Sequence, residues 1–157
     1  MRLRTGLMLA TALLAVLVFV LVRRAVVEAP IDLPTGFVHL RDSGVGFRAL
    51  SSDDARLWVR EWKDPTEASA QFWADMLQQD LVQRGYERKG GGEAKDQAGR
   101  TGLWHEFDVN VRGERVHYLI AVWVDGAVVQ VVEFGASGDA YGQHRPAVQA
   151  AFATLRH

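Results

Sequence analysis

Residues 102–135 read GLWHEFDVNVRGERVHYLIAVWVDGAVVQVVEFG, and this stretch decides the fold. Aromatic and β-branched residues, which favour strands, dominate three runs in it: 102–111, 115–124 and 127–135. Residues 112–114 connect the first two runs. Asp125-Gly126 connects the second pair, and Asp-Gly between apolar strands predicts a tight type I′ hairpin. We therefore predict three consecutive antiparallel strands.

The middle run is apolar on both faces of the predicted sheet. Because side chains alternate along a strand, Leu119, Ala121 and Trp123 share one face. The opposite face takes the remaining apolar residues: Val116, Tyr118, Ile120, Val122 and Val124. A strand that is apolar on both faces is buried on both faces, so we predict a helix on each side of the sheet.

A helix with a well-marked start is predicted after residue 63. Asp64 suits the N-cap, Pro65 suits the first helical position, and Glu67 completes a capping box. Apolar residues at helical spacing then predict a buried stripe, formed by Phe72, Trp73, Met76, Leu77 and Leu81. Gly85 is a natural residue just beyond the end of the helix.

A second helix is predicted at about residues 143–156, with Pro146 in its first turn, where proline is tolerated. Four residues share one of its faces: Tyr141, Val148, Phe152 and Leu155.

The remaining elements complete an α+β order. Strands are predicted at residues 37–41 and 45–50 around the turn at 42–44, and again at 56–63. The glycine-rich residues 87–99 lack the Walker and GxGxxG patterns of phosphate sites, so we predict a mobile hairpin tip there. The order is β-β-β-α-β-(β)-β-β-β-α. It predicts a single antiparallel-rich sheet with helices on both faces, an α/β/α sandwich.

The N-terminus carries a long apolar segment. Residues 5–22 are uncharged, and 18 residues of helix span about 27 Å, close to the hydrocarbon core of a bilayer. We predict an uncleaved transmembrane helix. The alternatives are a cleaved signal peptide, whose apolar region should be shorter, and a buried core helix. The domain organisation is therefore an anchor at 1–24, a linker at 25–35 and one α+β domain at 36–157.

Orientation depends on four arginines. Arg2 and Arg4 precede the apolar run, and Arg23 and Arg24 follow it, so the positive-inside rule is nearly balanced. A short basic N-terminus followed at once by the apolar run is typical of a signal anchor. We therefore expect a single-pass protein of a bacterial-type cytoplasmic membrane, with its C-terminal domain outside the cytoplasm.

Composition excludes several classes of function. The chain of 157 residues has no cysteine, which excludes a disulfide scaffold, a thiolate zinc site and a thiol nucleophile. Its formal net charge is −1, and without those four arginines it is −5 for residues 25–157. A mildly acidic domain is a poor candidate for binding nucleic acid.

Two acids and two histidines are candidates for chemistry. Glu106 and Asp108 share a strand face, and His105 points to the other face. Paired carboxylates can serve acid–base or metal chemistry, although a solvated rim that pairs with arginine is the commoner role. His105 and His117 lie on paired strands, so a two-histidine metal site is the alternative to partly buried strand histidines.

Trp58 and Trp62 flank Arg60 on one face of their strand. They form either an aromatic contact surface with the cation between the rings or packing at the edge of the core. The sequence has no GxSxG motif and no arrangement of nucleophile, base and oxyanion donor. We therefore predict no catalytic residue, no cofactor and no enzyme activity.

Short sequence patterns over residues 36–157 resemble the PsbP/Mog/DcrB-like superfamily. They are GVGFRAL, RGYE, WHEFDV, VHYLIAVWV, VVQVVEFGAS and AVQAAFATL. This superfamily of small α/β/α sandwiches includes photosystem PsbP proteins, a Ran-binding nuclear import factor and bacterial envelope proteins. The resemblance implies a binding or assembly module without catalysis, and it assigns no functional residue.

Together these observations lead us to expect a membrane-anchored, extracytoplasmic domain that binds or stabilises a protein partner in an envelope assembly. The alternative is a small-ligand or metal-binding module of the envelope. The candidate contact residues are Trp58, Arg60, Trp62, His105, Glu106, Asp108 and His117.

Overall fold

The computed structural model describes residues 29–41 and 46–157. The predicted anchor, residues 25–28 of the predicted linker and the predicted turn at 42–44 lie outside these residues. Within the described ranges, no helix has the length and apolarity needed to cross a membrane.

Seven strands, two α-helices and one short 3₁₀ helix make up the described chain. In chain order they are β1 (Phe37–His39), β2 (Phe47–Ser51), β3 (Arg56–Lys63), α1 (Ala70–Gln83), β4 (Glu87–Lys95), β5 (Thr101–Val111), β6 (Glu114–Asp125), β7 (Val128–Ser137), α2 (Gly138–Ala151) and the 3₁₀ helix (Phe152–Thr154).

The strands form one antiparallel sheet in the order β1-β2-β3-β7-β6-β5-β4. The first three strands build one side of the sheet. The chain then passes through α1 to the far edge and returns through β5 and β6 to the centre, where β7 pairs with β3. The predicted α+β class with a single antiparallel sheet is confirmed.

The sheet carries one apolar cluster on each face. On one face, Leu119, Ala121 and Trp123 pack with β7 and with Val148 of α2. On the other face, Ile120 and Val122 pack with Ala74 and Leu81 of α1. Each side therefore has its own helix, as the two apolar faces of β6 predicted.

Helix α1 lies mainly on β4, β5 and β6, and it reaches β3 where Trp73 contacts Trp62. The predicted apolar stripe of α1 is only partly buried. Trp73, Leu77 and Leu81 face the sheet, but Phe72 and Met76 are 49% and 47% exposed.

The start of α1 differs from the prediction. The N-cap is Ser69, whose hydroxyl accepts a hydrogen bond from Phe72 N at 3.2 Å, and Glu67 has a left-handed φ of 52°. Asp64 instead organises the preceding turn. It accepts hydrogen bonds from Thr66 N (2.9 Å), Ala68 N (3.0 Å) and Trp73 Nε1 (3.2 Å).

The predicted mobile tip at residues 87–99 is wrong, because most of it is the edge strand β4. Its glycines make room for side chains of β5. A Cβ on Gly91 would lie 2.6 Å from His105 Nδ1, and one on Gly92 would lie 3.1 Å from the Trp104 ring. The triplet therefore lets these side chains lie across the edge strand.

A type I′ turn occurs at the β5–β6 hairpin, for which no turn type was predicted. Arg112 and Gly113 both have positive φ, 52° and 86°, as a type I′ turn requires. The β6–β7 loop is Gly126-Ala127, in which only Gly126 has positive φ, at 55°. A first loop residue alone with positive φ indicates type II′, so the predicted type I′ turn at Asp125-Gly126 is wrong.

Helix α2 begins at Gly138, earlier than predicted, so Pro146 lies inside the helix and not in its first turn. The predicted inner face is confirmed: Tyr141, Val148, Phe152 and Leu155 are all buried.

The two ends of the described chain meet at one end of the sheet. Arg156 donates from Nη1 to the carbonyl of Ala29 at 3.0 Å, and Gln130 of β7 donates to the carbonyl of Arg156 at 2.7 Å. We call this end the base. Ser137 lies seven residues beyond Gln130 along β7, about 23 Å from the base. The Arg112-Gly113 turn lies at the same end of the sheet as Ser137, and we call this end the tip.

Candidate functional site

The uncovered part of the α1 face contains an open groove at the tip, with a volume of about 510 Å³. Sheet residues Trp58, Tyr118 and Gly135 line its centre. Two further pairs line its sides: Asp54 with Arg56 at the start of β3, and Arg112 with Glu114 at the β5–β6 hairpin. The groove lies around Trp58, towards the tip, whereas further along β3 Trp62 contacts Trp73 of α1.

Two arginines stack on the tryptophan of this groove. The guanidinium carbons of Arg48 and Arg60 lie 4.2 and 4.5 Å from the Trp58 ring centroid, within the range of cation–π attraction. Arg60 also forms a salt bridge with Glu133 of β7. These contacts hold the indole in place in the groove.

Trp62 has a different role from Trp58, although both lie on the same face of β3. Its ring packs edge-to-face against Trp73 of α1, with centroids 5.3 Å apart. Arg60 stacks on Trp58. The two tryptophans therefore do not form one surface: Trp58 lines the groove, and Trp62 packs in the core beneath α1.

Tyr118 gives the groove a neutral aromatic centre. Burial, and then the neighbouring Tyr86, raise the pKa of its hydroxyl far above the ordinary value of 10.0. Beside it, Gly135 adds no side chain, and a Cβ built there would meet its nearest atom, Tyr118 Cδ2, at 3.4 Å. A larger residue at position 135 would therefore extend into the groove without a backbone clash.

Glu106 lies on the opposite face of the sheet and fastens α2 to it. Its carboxylate accepts hydrogen bonds from the Tyr141 hydroxyl at 2.7 Å and from Arg145 Nη2 at 3.1 Å. Burial and the bond to Glu106 raise the pKa of the Tyr141 hydroxyl well above its usual range. Arg145 was not predicted from the sequence and Tyr141 was assigned only to packing, although their spacing of four residues places both on one helix face.

Asp108 and His117 pair beside this contact. Asp108 Oδ1 lies 2.7 Å from His117 Nδ1, and Asp108 Oδ2 lies 3.8 Å from Lys89 Nζ. The His117 ring also packs 5.2 Å from that of Tyr141. Glu106 and Asp108 therefore each have a cationic or hydrogen-bonding partner, as in a structural polar network.

His105 lies on the α1 face, away from Glu106, Asp108 and His117. Its Nδ1 is 3.3 Å from Arg88 Nη2, and its buried Nε2 has no hydrogen-bond partner among the described residues. Burial, and then the charge of Arg88, lower its pKa below 6.5. The prediction that His105 and His117 could be close neighbours is wrong, because their side chains lie on different faces of the sheet. In the register of β5 and β6, His105 pairs with Ile120, and His117 pairs with Asp108.

The arrangement of possible metal ligands also gives no support to a metal site. In residues 29–41 and 46–157, no three His, Asp or Glu side chains converge as a metal ion would require. The two-histidine metal site therefore has no support in the described domain.

The sheet order and the two covering helices define a PsbP-like fold. Cyanobacterial PsbP (CyanoP) from Synechocystis matches with a TM-score of 0.56 and 13% identity, over 81% of this chain and 92% of that one. LpqN of Mycobacterium tuberculosis, involved in cell envelope biogenesis, matches with a TM-score of 0.61 and 11% identity, over 78% of each chain.

A third structure has the same architecture. PA94 of Pseudomonas aeruginosa, a protein of unknown function, matches with a TM-score of 0.58 and 13% identity, over 85% of this chain and 86% of that one. No protein-family model matches the sequence, and no curated protein matches it. The similarity therefore defines the fold, and the expected kinship with the Mog and DcrB branches stays a prediction.

Proposed function

We propose that this chain is a non-catalytic binding module of the bacterial envelope. Residues 5–22 anchor it in the cytoplasmic membrane, and the domain outside the cytoplasm holds a protein partner in the groove beside Trp58. One observation carries the proposal: at the tip, the face of the sheet that carries α1 has an open groove with an aromatic centre and paired charges at its sides.

The chemistry of the groove supports binding over catalysis. Of the three acids that line the groove, Glu133 is bound to Arg60 and Asp54 is bound to Arg56. The third, Glu114, is a single carboxylate and does not by itself make a set of nucleophile, base and oxyanion donor. Aromatic and arginine side chains are the residues most enriched at protein interfaces. The role of LpqN in cell envelope biogenesis is consistent with an envelope function for this fold.

The position of the groove supports a partner away from the lipid. Ala29, where the described chain begins, lies at the base of the sheet. The groove lies at the tip. A domain tethered through residue 29 can therefore point the groove away from the membrane surface.

Site-specific photo-crosslinking in intact membranes tests the proposal. Val111 lines the groove and is 47% exposed, and Val82 on α1 is a matched control at 49% exposure. We expect a photoreactive amino acid at position 111 of the full chain to give a discrete crosslinked protein product that position 82 does not give. Equal labelling from both positions, or none from position 111, would overturn the proposal.

A small-molecule ligand is the second candidate, and one observation favours it. A volume of about 510 Å³ falls within the range of ligand pockets, roughly 300–1,000 Å³. For this candidate we expect no protein crosslink from position 111. A compound that raises the melting temperature should lose that effect when Gly135→Leu fills the groove, and an unchanged effect would contradict it.

A further inference from the structure

The two sides of the groove carry charges in complementary order. On the β3 side, Asp54 and Arg56 are two residues apart, acid before base. On the hairpin side, Arg112 and Glu114 are two residues apart, base before acid. Either side could therefore form two ion pairs with the other side of a second molecule.

The charges are also available for a partner. Arg112 and Glu114 form no salt bridge with any described residue. The Asp54–Arg56 pair is more than 70% exposed at both side chains. Exposed ion pairs contribute little to the stability of the fold, so Asp54 and Arg56 can give up their mutual contact and bind charges of another chain.

We propose that the groove is filled by the β5–β6 hairpin of a second copy of this chain, in a two-fold pair in which each hairpin enters the other's groove. This inference rests on the proposed function and deepens it by naming the partner. A two-fold interface uses the same patch on both subunits, so the patch must be complementary to itself. Aligned in this way, Asp54 faces Arg112 of the second copy, and Arg56 faces Glu114 of the second copy.

The hairpin is suited to insertion. Its two-residue turn at Arg112-Gly113 is tight, with positive φ at both residues, and the exposed side chain of Val111 lies directly before it. The groove offers apolar surface at Tyr118 and Val116 that Val111 of the second copy would cover. A membrane anchor on each copy would also confine the copies to one surface, which favours pairing.

Cysteine crosslinking tests the pairing directly, because the chain has no cysteine of its own. Two differently tagged full-length copies are co-expressed, one with Arg56→Cys and the other with Glu114→Cys, and the membranes are mildly oxidised. A disulfide needs Cα atoms within about 7 Å. We expect a linked product that carries both tags, and none when Gln79→Cys on the exposed side of α1 replaces Arg56→Cys. Equal yields from the two combinations would overturn the inference.

Charge reversal supplies a second test. Glu114→Arg alone places like charges together in both copies, and we expect self-crosslinking from a photoreactive residue at position 111 to fall about tenfold or more. Adding Arg56→Glu to the same chain restores opposite charges across the interface and should recover the crosslink. A double variant as defective as the single variant would contradict the pairing.

The identity of the crosslinked product separates the two proposals. A product from position 111 with the mass of two chains supports the second copy. A product with a different protein leaves the proposed function standing and overturns the second copy. No product specific to position 111 overturns both.

Discussion

At the scale of single residues, Asp64 shows how one carboxylate organises a turn. Hydrogen bonds from the Thr66 hydroxyl and from backbone N–H groups lower the pKa of this carboxyl from 3.8 to about 2. The folded state therefore favours the ionised form. Asp64 stabilises the fold fully above its ordinary pKa, and that contribution is lost as the pH falls towards 2.

Replacing Asp64 with Asn should therefore have an effect that depends on pH. We expect Asp64→Asn to lower the free energy of unfolding at pH 7, with the difference from the wild type shrinking between about pH 4 and pH 2. Urea unfolding of the solubilised chain at several pH values measures this difference. Asp80→Asn, at an exposed helix position, is the control, and a difference that did not change with pH would contradict the assignment.

Residue patterns predicted which face each side chain occupies, but not what it meets there. Alternation placed Glu106 and Asp108 on one face and His105 on the other. It could not show that Tyr141 and Arg145 come from α2 to bind Glu106, because those contacts join residues more than 30 positions apart. The local sequence pattern therefore predicted the sheet face of each side chain, but its hydrogen-bond partners depend on tertiary packing.

At the scale of elements, two glycines have opposite roles. Gly102 in β5 faces the fully buried Trp123, and a Cβ there would lie 2.3 Å from Trp123 Cε2. A Cβ added to Gly142 in α2 would have no atom within 4 Å outside its own helix backbone and chain neighbours. The first glycine is required by close packing, and the second only weakens its helix.

The same substitution at these two positions should change stability in opposite directions. Gly102→Ala should destabilise the fold by about 1–3 kcal/mol or more, because overpacking forces the core to move. Gly142→Ala should stabilise it by about 0.5–1 kcal/mol through helix propensity. Thermal unfolding of both variants checks this. An equal change in stability for the two variants would contradict the prediction, because it would mean that Trp123 moves aside without cost.

Strands with strong local signals were predicted best. The run at 56–63 coincides with β3, and the three central strands differ from prediction by one or two residues at their ends. The predicted order held a strand between the first helix and residue 102, but residues 87–99 were assigned to a mobile tip because the glycine triplet of β4 has no strand propensity. Those glycines accommodate Trp104 and His105 of the neighbouring strand, which is a tertiary contact. The open groove could not be predicted either, since it depends on β3 pairing with β7.

At the scale of the whole molecule, the compartment is the first property to establish. A phosphatase reporter that is active only outside the cytoplasm, fused after His157, should be active. The reason is that a short basic N-terminus before the apolar run favours export of the C-terminal domain. Protease access in spheroplasts checks the result. An inactive fusion that is stably expressed would place the domain in the cytoplasm and remove the envelope proposal.

The central claim is that the groove beside Trp58 is a binding site, and filling it tests this most directly. Gly135→Leu should fill the groove, and Gly142→Leu adds the same bulk on α2, where an added Cβ meets open space. With a photoreactive residue at position 111 of the full chain in membranes, we predict that the crosslink is lost in Gly135→Leu and kept in Gly142→Leu. A crosslink that survives in a correctly folded Gly135→Leu chain would contradict the claim.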